Sequence, residues 1–174
     1  MNPKVVILVV ASNGFQPVEY GDTLKVLQDE GLKVITASNS RDTAVSSKGD
    51  PVNVDITIDK IKPDMYDGLF LIGGPGALEH LDNPNMYFII EEAKKNNKVY
   101  GAICVSPRIL AKAKVLENKK ATGWDEDNNL AEIFKTYNVT YIKQPVVADG
   151  NVITANGPHA ALSFGHEIAN TLKK

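Results

Sequence analysis

The chain has one cysteine (Cys104), one tryptophan (Trp124) and three histidines (His80, His159 and His166). A lone cysteine excludes an internal disulfide and any multi-cysteine metal site. Histidines this dispersed offer no zinc-ligand spacing, so no metal or other cofactor is expected. Long apolar runs are missing as well: no stretch reaches about 18 residues, and no membrane-spanning helix is expected. Basic blocks interleaved with aromatics are absent and the net charge is −2, which argues against nucleic acid as a partner. The opening "MNPKVVILVVAS" has one lysine, a short apolar run and no A-x-A site. It reads as a buried first strand rather than a targeting segment, and the cytoplasm is the expected location.

What is present suits one domain over residues 1–174, with 43% apolar and 23% charged residues, long enough to bury a core. "KVVILVVAS" (4–12) is β-branched and continuously apolar, as a strand covered on both faces would be. Asn13-Gly14 reads as a turn. "PVEYGDTLKVLQDEG" predicts a helix, with Pro17 in its first turn, Val18, Leu24, Val26 and Leu27 on its apolar face, and Gly31 at its end. Further strands are expected at 32–38, 67–74 and 98–104, with a hairpin over 43–58. Helices are expected at 83–97, 106–116, about 126–136 and 159–174. "VTYIKQPVVADGNVITAN" (139–156) holds a second hairpin turning at Asp149-Gly150. Strands alternating with helices predict an α/β three-layer sandwich around a mostly parallel sheet. Ligands of such folds bind outside the carboxyl ends of the strands, where "SNGFQPVE", "GGPGAL" and "CVSP" all fall.

Cys104 sits in "GAICVSP", with Ala102 two residues before it and Ser106 two after. Small residues at those places permit a sharp strand-to-helix turn, which lifts a nucleophile to the sheet edge. A following helix start favours thiolate. The same pattern also fits a cysteine that merely fills the core. Gly73 and Gly74 allow close backbone approach: taken alone they fit an ordinary tight βα turn, and the other reading has the amides of Gly74 and Val105 form an anion pocket. Pro75 and the spacing exclude a dinucleotide loop. Glu19, in the first turn of the first helix, is either an ordinary helix-start acid or a proton relay at the same edge. His159 follows a late strand and reaches that edge; His80 and His166 read as surface residues.

Together, "FQPVE", "YDGLFLIGGPGA", "GAICVSP" and "DGNVITANGPHAALSFGHEIANTL" resemble the ThiJ/PfpI superfamily, which includes the DJ-1 branch, nearly end to end. The resemblance implies a flavodoxin-like fold and a homodimer. It implies that Cys104 is the reactive elbow cysteine and Glu19 the protonated acid beside it. Gly74 and Val105 would supply the surrounding N–H groups, and Gly73, Ser106, Trp124 and His159 are further pocket candidates. It also implies a glyoxalase- or deglycase-type enzyme acting on a small-molecule carbonyl, with Cys104 as nucleophile and Glu19 as acid/base. A non-catalytic redox sensor or stress-protective protein, in which Cys104 oxidises to sulfinic acid, is the alternative. The sequence departs from the family in three places. Val105 stands where the peptidase-like branch has histidine, which disfavours peptide hydrolysis. Trp124 or Gly123 stands where the DJ-1 branch has its histidine. Asn156 and His159 replace a basic residue and a glycine.

Overall fold

The computed structural model describes residues 2–174. Its strands are β1 (Val5–Val10), β2 (Asn13–Phe15), β3 (Lys33–Ser38), β4 (Thr43–Ser46), β5 (Pro51–Asn53), β6 (Ile56–Thr57), β7 (Gly68–Leu71), β8 (Val99–Ile103), β9 (Lys120–Ala121), β10 (Thr140–Tyr141), β11 (Val146–Asp149) and β12 (Val152–Ala155). Its α-helices are α1 (Pro17–Asp29), α2 (Pro75–His80), α3 (Pro84–Lys95), α4 (Pro107–Lys112), α5 (Leu130–Thr136) and α6 (Ala161–Lys173).

The central sheet has the order β11-β12-β8-β7-β1-β3-β6. Every neighbouring pair is parallel except β11 with β12. Its middle five strands, β3-β1-β7-β8-β12, follow the flavodoxin-like 2-1-3-4-5 order. Alternation along β1 divides the core between two layers. Ile7 and Val9 pack with Met86, Ile90, Ile109 and Phe134 from α3, α4 and α5. Val6, Leu8 and Val10 pack with Leu27 of α1 and with Phe164 and Ile168 of α6. The strand thus buries both faces, which is why it reads as a continuous apolar run.

Several local expectations need correction. Asn13-Gly14 belongs to β2, which pairs with β4 in a small second sheet rather than forming a simple turn. The hairpin expected within 43–58 is present as the antiparallel pair β4–β5 and needs no correction. Val18 is exposed, whereas Glu19, Tyr20 and Thr23 are buried on α1. The helices expected at 106–116 and 126–136 are shorter, and α2 was read as loop. His159 lies in a 3-10 turn (Pro158–Ala160) ahead of α6 rather than opening the helix. Among the described residues, no helix is long and apolar enough to cross a membrane.

Candidate active site

The switch point of the sheet lies between β1 and β7, and the loops that leave these strands carry Gln16, Gly73 and Gly74. Gln16 is the N-cap of α1, and its side chain accepts the Glu19 N–H at 2.8 Å. Its own backbone N–H bonds the Gly73 carbonyl at 3.0 Å. These two bonds tie the start of α1 to the end of β7. Glu19 is thereby carried wholly into the protein, at 0% exposure, with Oε2 accepting the Gly73 N–H at 2.9 Å.

Cys104 follows β8 at φ +65°. A non-glycine residue at positive φ is uncommon and costs about 1–3 kcal/mol. Here it is the strained elbow that the small residues around Cys104 predict. Its N–H bonds the Ala155 carbonyl at 2.9 Å, and its carbonyl accepts the Trp124 N–H at 2.7 Å. The strained residue is therefore held from both sides. The backbone N–H groups of Gly74 and Val105 point to its sulfur.

Gly73 shows how tightly the acid and the thiol converge. A Cβ added there would lie 2.5 Å from the Cys104 Cβ and 2.8 Å from Glu19 Oε2. No side chain fits between them. Gly74, at φ +110°, adopts a conformation that only glycine takes without strain.

Burial pushes the Glu19 carboxyl up to about 7, against opposing hydrogen bonds from Cys104 and Gly73. Burial also pushes the Cys104 thiol up, and the Glu19 charge adds to the rise; the Gly74 and Val105 amides pull the other way. Burial thus opposes the helix start, which favours thiolate. The helix after the elbow is only six residues long, and desolvation outweighs it. The Oε1 atom of Glu19 has no partner of good hydrogen-bond geometry. The two groups are linked electrostatically, the Glu19 charge raising the cost of thiolate at Cys104.

Cys104 opens into a cavity of about 740 Å³. Gly74, Val105, Trp124 and His159, all candidates from the sequence, line it. Three other candidates do not. Glu19 is wholly buried beside the thiol. Gly73 lies behind the thiol and spends its N–H on Glu19. Ser106 is fully buried and donates to the Ile72 carbonyl at 2.8 Å, which fastens the elbow to the end of β7. His80 and His166 do not line the cavity. Among the described residues, no histidine hydrogen-bonds Cys104 or Glu19, and no cluster of three or more His, Cys, Asp or Glu side chains is set to hold a metal. Sequence reading missed Gln16, Tyr141 and Lys143, which line the same cavity. Tyr141 and Lys143 come from the segment around β10, far along the chain from the elbow, and no local pattern marks them.

A flavodoxin-like sandwich with a strained cysteine elbow over a buried glutamate defines a class of α/β proteins built around one thiol. Residues 4–171 match the DJ-1/PfpI family, and the chain belongs to it. It is 35% identical to an uncharacterized protein of Methanocaldococcus jannaschii, over 100% of this chain and 85% of that one. It is 29% identical to a deglycase of Pyrococcus horikoshii (96% and 99% covered). A glutathione-independent glyoxalase of Caenorhabditis elegans is 24% identical (98% and 89%). The solved structure of a ThiJ/PfpI domain protein from Brachyspira murdochii superposes with a TM-score of 0.93 at 24% identity, covering 99% of this chain and 98% of that one. That likeness shows the fold.

Proposed function

We propose that this protein is a glyoxalase- or deglycase-type enzyme for small reactive carbonyls, with Cys104 as nucleophile and Glu19 as acid/base. The observation that carries the reading is the convergence of Glu19 and Cys104 over Gly73, with Cys104 lining an open cavity and Glu19 buried behind it. Relatives named deglycase and glyoxalase support it.

In this reading the Glu19 carboxylate takes the thiol proton as sulfur attacks the aldehyde carbon of methylglyoxal. The C=O π electrons move to oxygen, which faces the Gly74 and Val105 amides. The carboxyl returns the proton to that oxygen, giving a hemithioacetal. Glu19 then removes the proton from the former aldehyde carbon as the neighbouring ketone oxygen takes up a proton, giving an enediol, and returns the proton to the adjacent carbon as the hydroxyl on the sulfur-bearing carbon releases its own. The result is a thioester of lactate, and water cleaves it to lactate and free Cys104. A deglycase reaction starts with the same attack on a carbonyl already joined to an amine. Val105 cannot act as a base, so peptide hydrolysis is not proposed.

The test is lactate formation from methylglyoxal by the wild type, Cys104→Ser and Glu19→Gln. The reading requires turnover in the wild type and a loss of at least 100-fold in both variants. No turnover in the wild type refutes it.

One observation favours a second reading. No imidazole contacts the thiol, while two backbone N–H groups face it, a setting able to hold the oxygens of a sulfinic acid formed by peroxide. Intact mass after peroxide treatment tests this by a gain of two oxygens. A homodimer in the cytoplasm completes the proposal. The unpaired thiol suits a reducing compartment, and light scattering measures the assembly.

A further inference from the structure

Trp124 is held at three points. Its N–H bonds the Cys104 carbonyl at 2.7 Å. Its carbonyl accepts from Arg108 Nη2 at 3.1 Å. Its ring lies over the Arg108 guanidinium, 5.4 Å from the centroid. Arg108 is itself fixed: it is 8% exposed and grips Asp127 with two bonds, at 2.9 and 2.7 Å. The guanidinium does not line the cavity and the indole does. The ring is thus backed by a cation at a residue that lines the cavity. Tyr141, Pro75 and Pro158 add apolar wall to the same space. At about 740 Å³ the cavity falls in the range of about 300–1,000 Å³ that encloses drug-sized ligands. A three-carbon dicarbonyl leaves most of it empty.

We infer that Trp124, clamped by Arg108 and Asp127, is a preorganised platform for a flat arm of the substrate, and that the site favours carbonyl compounds bearing a planar, apolar substituent over three-carbon ones. The inference deepens the carbonyl reading and rests on it for the position of the reacting group. Stacking benefits from a ring held before the ligand arrives: the two backbone bonds fix the Trp124 main chain, and the Arg108 guanidinium packs against the indole itself. Arg108 and Asp127 are positioning residues: they touch no ligand and act through the indole.

The chain's single tryptophan gives one indole N–H signal in a ¹H–¹⁵N spectrum. The test titrates ¹⁵N-labelled Cys104→Ser protein with acetophenone, cyclohexyl methyl ketone and acetone. All three share a methyl ketone head and differ in the arm. Acetophenone is expected to shift the indole signal and to half-saturate at least threefold below its puckered cyclohexyl counterpart, with acetone weakest. Trp124→Leu, followed through the Gly123 amide, should abolish the preference of flat over puckered. Arg108→Lys, which keeps the charge but loses the fork, should reduce it, with the remaining spectrum reporting an intact fold. Equal or tighter binding of the cyclohexyl ketone overturns the inference, as does a flat-arm preference that survives in Trp124→Leu. The thiol is absent from the protein used, so a chain that makes no lactate from methylglyoxal still decides this question.

Discussion

Glu19 and Cys104, 85 positions apart in the chain by their numbering, share the space over Gly73 so closely that one added methyl group would collide with both. The acid arrives from the first turn of α1 and the thiol from the end of β8. Their titrations are consequently linked: both are buried, the Glu19 charge raises the cost of thiolate at Cys104, and the Cys104 hydrogen bond favours the charged Glu19 carboxylate.

The first prediction concerns stability against pH. Glu19 is raised from 4.5 to about 7 in the folded protein. An acid with a raised folded value stabilises the fold below its unfolded value, and that contribution disappears as pH climbs through the folded one. Relative to Glu19→Gln, the wild type should therefore lose stability between pH 4.5 and 7, by up to about 3 kcal/mol at 1.36 kcal/mol per unit. Urea unfolding of both proteins at pH 5 and pH 8 measures it. A difference that stays constant across this window contradicts the buried carboxyl.

Gly73→Ala should disturb the pair directly. The new Cβ would lie 2.9 Å from the Ile103 carbonyl oxygen as well as against Glu19 and Cys104. Overpacking of this kind costs about 1–3 kcal/mol. Thermal unfolding should show that loss, and alkylation of Cys104 in the folded variant should change with it. A variant of wild-type stability would mean that the elbow has room to relax.

Asp127→Asn should behave differently with pH. Arg108 holds the Asp127 carboxyl well below the usual carboxylate range. Its contribution is present above an unfolded value of 3.8 and is lost only as pH falls through the lower folded value. The variant leaves a buried guanidinium with weakened partners and should cost about 1–3 kcal/mol. Between pH 5 and 8 that cost should be flat, in contrast to Glu19→Gln. A cost that vanishes within the window contradicts the clamp.

Much of this was legible from residue order. The apolar runs at β1 and β7 mark strands because each is covered on both faces. The elbow was legible because Ala102 and Ser106 are small where the backbone crowds, and φ at Cys104 bears this out. Other features were hidden by the same physics that makes them work. Ser106 suits an N-cap, but its hydroxyl turns inward to the Ile72 carbonyl, a partner 34 positions away. Arg108 looks like any helix cation until the fold brings Asp127 to it across 19 positions. Val18 fits an apolar stripe, yet α1 buries Glu19 and Thr23 instead, because the site and α6 lie on that side. Periodicity reports which face is apolar on average; it cannot report one acid turned inward for chemistry. The fall in thiolate character at Cys104 is hidden for a related reason, since desolvation depends on what the rest of the chain packs over the sulfur.

The central claim is that Glu19 controls the proton of Cys104. The pH dependence of Cys104 alkylation in the folded protein tests it most directly, because no other thiol is present. Charge on Glu19 raises the cost of thiolate at Cys104, so wild-type alkylation should stay slow at neutral pH and rise only above the free-thiol range. Glu19→Gln removes that charge and should react at lower pH than the wild type. Identical profiles in the two proteins, or a wild-type midpoint at the free-thiol value of about 8.5, would contradict the coupling.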